Sequence, residues 1–261
     1  MHPSDWRLIN GEALEAIPAE LARPRGNATA RALAGADWLL RRKADGRFLA
    51  LRRGDSLQPL WRGALSRRMD SELAALVDSD LAGEAPRPLR GLLRRLHELG
   101  LDEGEYAAAS GLALVPEPST LAYAGRDRYR RPLWLRAQAA HAWQAMHAAA
   151  AREDIALEAI SGYRSHDYQL GIFRRKLARG QTVEQVLRVN AAPGFSEHHG
   201  GDVLDISTPG EPAAEESFEA TPAFAWLQSR AAGFGFAMSY PRDNPHGIDY
   251  EPWHWRFQLP D

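Results

Sequence analysis

Apolar and polar positions alternate differently in the two halves of the chain. Trp38-Leu39-Leu40-Arg41-Arg42 and Arg47-Phe48-Leu49-Ala50-Leu51 flank Asp45-Gly46. Two apolar runs around Asp-Gly predict a β-hairpin closed by a type I′ turn, whose central residues take positive φ. Residues 71–77 and 88–99 carry helical spacing, the second stretch stopping at Gly100, a residue suited to the position after a helix end. Residues 133–152 are Ala-rich, with Leu135, Ala139, Trp143 and Met146 on one side, and predict a long helix. A strand is expected over 155–160. The next helix is expected over 167–177, N-capped near His166 or Asp167 and closed by Gly180. Thr182 and Gln185 have capping-box spacing. Residues 203–206 read as a strand, and Thr221-Pro222 opens a helix ending at Gly233. Residues 234–238 and 253–257 read as two more strands. Helices and strands do not alternate regularly, so the expected class is α+β: a C-terminal domain with a small, mainly antiparallel sheet flanked by helices, plus a small N-terminal α+β domain.

The two prolines of Pro116-Glu117-Pro118 suggest a boundary that gives an N-terminal accessory domain over 1–118 and a second domain over 119–261. No chemistry is assigned to the first. The 261 residues are 44% hydrophobic and 25% charged, within the range of soluble globular proteins. A net charge of −2 offers no global basic field for nucleic acid or an anionic membrane. Nothing approaches the ~18 consecutive apolar residues of a membrane span. The first residues lack the basic and apolar segments of a secretory leader, so a cytoplasmic location is expected, or a periplasmic one if a leader is missing from this chain. There is no cysteine, so a thiolate nucleophile is excluded and any metal must be held by His, Asp or Glu.

Histidine placement narrows the chemistry. Ser196-Glu197-His198-His199-Gly200-Gly201-Asp202-Val203-Leu204-Asp205 holds two imidazoles and, besides Glu197, the two carboxylates Asp202 and Asp205 beside a glycine pair, and Glu251-Pro252-Trp253-His254-Trp255-Arg256 follows near the C-terminus. A catalytic zinc needs three protein ligands and keeps one position open. Two histidines and one carboxylate would serve, with another carboxylate to take a proton. The residues alone leave His198 or His199, and Asp202 or Asp205, open as ligands. Asp205 lies among Val203, Leu204 and Ile206, where a carboxylate is costly without a cation; this favours Asp205. Glu251 and His254 are three apart, so they share a site only if Glu251 lies in the loop entering the strand, which Pro252 favours.

Ser161-Gly162-Tyr163-Arg164-Ser165, Gln169, Ser196-Glu197-His198-His199-x-Gly201-x-x-x-Asp205-Ile206 and Tyr250-Glu251-Pro252-Trp253-His254-Trp255-Arg256 occur in this order. Together they resemble the VanY-type D-alanyl-D-alanine carboxypeptidases, part of the group named after lysostaphin, D-Ala-D-Ala metallopeptidases and sonic hedgehog. The resemblance covers about residues 121–259. It implies a zinc hydrolase acting on peptidoglycan stem peptides, with one zinc held by His198, Asp205 and His254 and with Glu251 as general base. It implies that Arg164 faces the scissile carbonyl, and that Gln169, Ser196 and, by a weaker match, Tyr240 line the substrate pocket. Val203 stands where relatives often have Ala. The expected reaction is release of a terminal D-Ala, with L,D-carboxypeptidase action on tetrapeptide muropeptides in cell-wall recycling as the first reading. The alternatives are D,D-carboxypeptidase action on pentapeptides ending in D-Ala-D-Ala, an endopeptidase, and a zinc-containing binding module without turnover.

Overall fold

A computed structural model describes residues 6–61, 63, 67–78, 89 and 91–258. Two antiparallel sheets organise it. The first contains β1 (Arg7–Asn10), β2 (Leu14–Pro18), β3 (Trp38–Arg42), β4 (Phe48–Arg53), β5 (Ser56–Pro59), β6 (Thr120–Arg126) and β7 (Pro132–Leu135). Its strand order is β5-β4-β3-β2-β1-β6-β7. β6 pairs with β1 in the register Arg7↔Ala122, Leu8↔Leu121 and Ile9↔Thr120. The sheet therefore runs unbroken across residues 118–119, where the sequence suggested a boundary.

The second sheet holds β8 (Glu158–Ser161), β9 (Val203–Ser207), β10 (Phe236–Met238) and β11 (His254–Phe257) in the order β10-β11-β9-β8. Helices α5 (Ala137–Arg152) and α8 (Pro222–Arg230) cover one face of it. Their Ala139, Trp143, Met146, Phe224 and Leu227 join Leu204, Ile206, Phe236 and Trp255 of the sheet in one buried cluster. The other helices are α1 (Asn27–Leu33), α2 (Arg67–Asp78), α3 (Leu92–Glu98), α4 (Glu103–Ser110), α6 (His166–Leu177) and α7 (Val183–Leu187). Among the described residues, no helix is long and apolar enough to cross a membrane.

Several local expectations need correction. The β3–β4 hairpin forms, but not through a type I′ turn: within residues 43–46 only Gly46 takes positive φ (65°). The Gly46 N–H instead bonds to the Arg42 carbonyl at 2.8 Å, and the Asp45 carboxylate accepts from the Arg47 N–H at 3.1 Å, so the side chain does work that a second left-handed residue would have done. Residues 133–135 are strand, not helix. Leu133 and Leu135 alternate with Trp134 across a strand paired to β6, and the helix starts only after Arg136. Ser165, rather than His166 or Asp167, caps α6, accepting from the Tyr168 N–H at 3.1 Å. The strand expected over 155–160 begins at Glu158. Residues 231–234 form a 3-10 turn ended by Gly235 at φ 79°, and β10 begins only at Phe236. The helix expected over 88–99 is present as α3, while Pro88 and Arg90 lie outside the described residues. The capping box of Thr182 and Gln185 and the Thr221-Pro222 helix start form as expected.

Candidate active site

Sheet register builds the centre. On β9 and β11, Asp205 and His254 are direct cross-strand partners, and Ser161 of β8 flanks Asp205 on the other side. Side chains alternate between faces with a period of two, so a one-residue slip would send Asp205 and His254 to opposite faces. Leu204 and Ile206 face the helical cluster, which leaves Asp205 for the other face.

His198 arrives from a 3-10 turn over Glu197–Gly200, closed by Gly201 at φ 77°. A Cβ on Gly201 would stand 2.5 Å from Leu121 Cδ2, so this turn requires glycine both for its conformation and for its space. The turn is held by Arg136, whose N–H donates to the Gly201 carbonyl at 2.8 Å and whose Nε donates to the Gly200 carbonyl at 2.7 Å.

The imidazoles are oriented by what they donate to. His198 Nδ1 donates to the Gly162 carbonyl at 2.7 Å, which leaves Nε2 facing Asp205 Oδ2 at 3.3 Å. His254 Nε2 donates to Glu197 Oε2 at 2.9 Å, which leaves Nδ1 facing Asp205 Oδ1 at 3.3 Å. His199 is placed differently. Its Nδ1 donates to the Arg164 carbonyl at 2.6 Å and its Nε2 accepts from the Gly194 N–H at 3.0 Å. Both its nitrogens are committed to backbone, so His199 has no lone pair left for a metal, and it props the segment that carries Arg164. Asp202 pairs with Arg136 at 3.2 Å and lies outside the cluster of three.

These groups fit a cation. One donor atom each from His198, Asp205 and His254 lies within 4.8 Å of the others, and all three residues are buried. A tetrahedral zinc with bonds of about 2.0–2.1 Å separates its ligand atoms by roughly 3.3–3.4 Å; His198 Nε2 lies 3.3 Å from Asp205 Oδ2, and His254 Nδ1 lies 3.3 Å from the other oxygen, Oδ1. Asp205 Oδ1 is buried without a hydrogen-bond partner. Asp205 and the two imidazoles thus converge on one point, an arrangement that is costly unless a positive charge, a metal ion or a proton on His254, sits there. The field says the same. Burial works against a charged His254, yet contacts with Asp205, Glu197 and Glu251 push its imidazole up to about 10. Burial keeps His198 below the usual imidazole value, in the neutral form that ligates.

Glu251 lies in the loop just before β11, as Pro252 suggested. Its N–H donates to the Tyr240 carbonyl at 3.0 Å and its own carbonyl accepts from the His254 N–H at 3.2 Å. Its Oε2 lies 3.4 Å from His254 Nδ1. Burial raises this carboxyl to about 7; Asp205 adds to the rise, and His254 and Arg164 oppose it. Arg164 points the same way, with Nη2 3.6 Å from Asp205 Oδ2. It is not drawn off by Asp167, which pairs with Arg95. Gln169 is fully buried, accepting from Arg164 Nη1 at 3.1 Å and donating to the Ala191 carbonyl at 2.9 Å. Its amide therefore holds Arg164 in place. Ser196 precedes the His198 turn and is buried. Tyr240 is also buried, its ring 4.7 Å from that of His254.

Sequence reasoning missed Glu197 as a partner of the site. Beyond His254, its Oε1 accepts from Arg256 Nη1 at 2.7 Å. Burial would raise its carboxyl, but His254 and Arg256 win and hold it at about 2. A carboxylate that orients a ligating histidine is typically worth about 10–100-fold in metal affinity. Glu197→Gln is therefore expected to weaken zinc binding by about that factor, read by competition with a chromogenic chelator. Unchanged affinity would show that Glu197 merely fills space.

A family model described as VanY, D-alanyl-D-alanine carboxypeptidase, matches residues 132–260, starting at β7. Similar proteins include YodJ of Bacillus subtilis (strain 168), named as a carboxypeptidase, 36% identical over 128 residues, 48% of this chain and 46% of that one. A D-alanyl-D-alanine carboxypeptidase of Enterococcus faecium is 31% identical over 99 residues, 37% of this chain and 28% of its own length. The chain thus spans half or less of the length of these two relatives. Among solved structures, the LD-carboxypeptidase LdcB matches with a TM-score of 0.45 and 35% identity, over 48% of this chain and 59% of LdcB. VanYB in complex with D-alanine-D-alanine matches with a TM-score of 0.42 and 27% identity, over 48% of this chain and 72% of VanYB. The segment that carries Arg164, His198, Asp205, Glu251 and His254 is the one that the VanY family model of D-alanyl-D-alanine carboxypeptidases matches.

Proposed function

We propose that this protein is a zinc-dependent carboxypeptidase that releases the terminal D-Ala of peptidoglycan stem peptides. The observation that carries the reading is the convergence of His198, Asp205 and His254 on one point, with Glu251 3.4 Å from His254. Zinc held by these three side chains would supply Lewis-acid activation of water and of the scissile carbonyl. Glu251 accepts the proton of the attacking water and delivers it to the leaving amine. Arg164, fixed by Gln169, places a positive charge where the carbonyl oxygen becomes negative, usually the largest electrostatic contribution to such a reaction. Ser196 and Tyr240 border the pocket in this reading.

The proposed substrate is the tetrapeptide, cleaved as an L,D-carboxypeptidase. A cavity of about 910 Å³ counts Arg164, Ser161 and Asp205 among its lining residues. In a tetrapeptide the residue before the scissile bond is the large diamino acid, for which this space has room beside Arg164 and Asp205; in a pentapeptide another D-Ala takes that place and the diamino acid lies one residue further along. The names of the enterococcal relatives favour a second reading, D,D-cleavage of the pentapeptide. Release of D-Ala from defined tetrapeptide and pentapeptide, followed by a coupled D-amino-acid oxidase assay, separates the two. The expected result is a kcat/KM at least about tenfold higher on the tetrapeptide, a difference of ~1.4 kcal/mol in transition-state binding. Turnover of the pentapeptide alone would sink the L,D reading.

A further inference from the structure

The 910 Å³ cavity is bordered by both parts of the chain. Arg164, Ser161 and Asp205 line it together with Glu15, Ile17, Arg41 and Phe48 of the first sheet, which lie wholly outside residues 132–260. Besides Asp205, three carboxylates line it, and each is already paired: Glu15 with Arg41 at 2.6 Å, Asp45 with Arg42, and Asp127 with Arg131 at 2.6 Å. Lys43 is committed to Glu117. The charge left over is positive. Arg23, Arg25, Arg130 and Arg175 also line the cavity, and no carboxylate pairs with them among the described residues.

Two of these guanidiniums are braced rather than loose. Arg25 lies 4.4 Å from the Phe48 ring centroid and donates to the Gly46 carbonyl at 2.8 Å. Arg175 lies 5.7 Å from the Tyr168 ring. A guanidinium attracted to a ring face in this way keeps N–H donors for a carboxylate. Arg130 sits at φ 60°, left-handed backbone at the tip of the β6–β7 turn. A long side chain there is strained where glycine would not be, the kind of local cost that persists at binding sites.

We propose that this groove binds the acidic part of a peptide on the acyl side of the cleaved bond, and that Arg25, Arg130 and Arg175 take its side-chain carboxylates. The N-terminal half is then a substrate-recognition element. The acyl-side assignment rests on the carboxypeptidase reading: an exopeptidase releases one residue, so a groove of this size holds what remains. Charge-assisted, bidentate contacts to guanidinium edges supply the recognition.

The test compares an acidic tetrapeptide ending in D-Ala with the same peptide carrying side-chain amides in place of its carboxylates. Binding is measured by titration calorimetry on zinc-free Glu251→Gln protein, whose lack of both metal and base keeps the peptide intact, with and without Arg25→Ala, Arg130→Gly and Arg175→Ala. Turnover is measured on the zinc-loaded enzyme with intact Glu251. The arginine substitutions are expected to raise Kd and KM for the acidic peptide about tenfold, to leave kcat alone, and to leave the amide peptide unaffected, three partly solvated ion pairs of modest strength each. Arg130→Gly alone should raise the unfolding midpoint while weakening the acidic peptide, which a structural role for that side chain would not do. D-Ala release with binding blind to the carboxylates, or weakened equally for both peptides, overturns the groove assignment and leaves the hydrolase. Charge-dependent binding without D-Ala release from either peptide overturns the hydrolase and the acyl-side assignment together, leaving an acidic-peptide site.

Discussion

Replacing Glu251 with glutamine is expected to lower kcat by about 10²–10⁴-fold while zinc stays bound at one per chain. The range is that of a general base removed from its transition state. Glu251 is fastened by two backbone hydrogen bonds, to the Tyr240 carbonyl and from the His254 N–H, so glutamine can occupy the same place. Burial raises its carboxyl, which makes it a better proton acceptor than an exposed one. The amide keeps the size and loses the basicity. The three atoms that converge on the metal point come from His198, Asp205 and His254, so zinc measured by plasma emission should not fall in Glu251→Gln, whereas it should in His254→Ala. Normal kcat would place the proton acceptor elsewhere. Loss of zinc would make Glu251 a ligand.

The second large effect is on stability, and it lies at the seam between the two parts of the chain. Glu117 and Lys43 form a buried ion pair, with side chains 5% and 1% exposed. Glu117 also accepts from the His166 N–H at the start of α6 at 2.6 Å and from Asn10 Nδ2 at 3.3 Å. Asn10 Nδ2 in turn reaches the Tyr163 hydroxyl at 2.8 Å, next to Arg164. Glu117→Gln leaves the Lys43 ammonium buried without a counter-charge, which typically costs 3–5 kcal/mol, or roughly that. The loss should be visible as a shift in the denaturant midpoint. Replacing both partners, as Lys43→Met with Glu117→Leu, should recover part of it, because the desolvation of two charges disappears with them. A Glu117→Gln midpoint within error of the parent would show that the pair contributes nothing.

The same pair sets a pH dependence. Burial pushes the Glu117 carboxyl up, but Lys43 and His166 more than offset it and hold the group below its ordinary 4.5. A carboxyl lowered on folding adds stability above its unfolded value, and that stability is lost as pH falls through the folded value. Acid unfolding should therefore be shallower in Glu117→Gln than in the parent. An identical acid limb in both proteins would assign the acid lability to other groups.

The elements legible in the sequence were those signalled by local chemistry. Thr182 and Gln185, Thr221-Pro222 and the runs around Asp45-Gly46 each announce a start or a turn through side chains a few positions apart, and each is in the structure. Residues 133–135 misled because Leu133 and Leu135 continue an apolar spacing that also suits the following helix. Only pairing with β6, far from any local cue, makes them strand. The same distinction runs through the site. Asp205 stood out because it lies among Val203, Leu204 and Ile206, and Glu251 because Pro252 breaks the strand. The choice between His198 and His199 needed backbone carbonyls of Gly162 and Arg164 that no spacing reveals. Glu197 and Glu117 were invisible as partners, since Glu197 meets His254 57 positions away and Glu117 meets Lys43 74 positions away.

The unbroken first sheet separates what is related by descent from what can fold alone. The match to the family model begins at Pro132, yet β7 is laid on β6, and β6 on β1 at the far end of the chain. Trimming the protein to its recognisable portion would strip β7 of its neighbour, and a cut at residue 118 would bare the hydrogen-bonding edge of β6 along Leu121. Open edges of that kind recruit other chains. Ancestry marks one place to divide this molecule, and the backbone ladder forbids the division there.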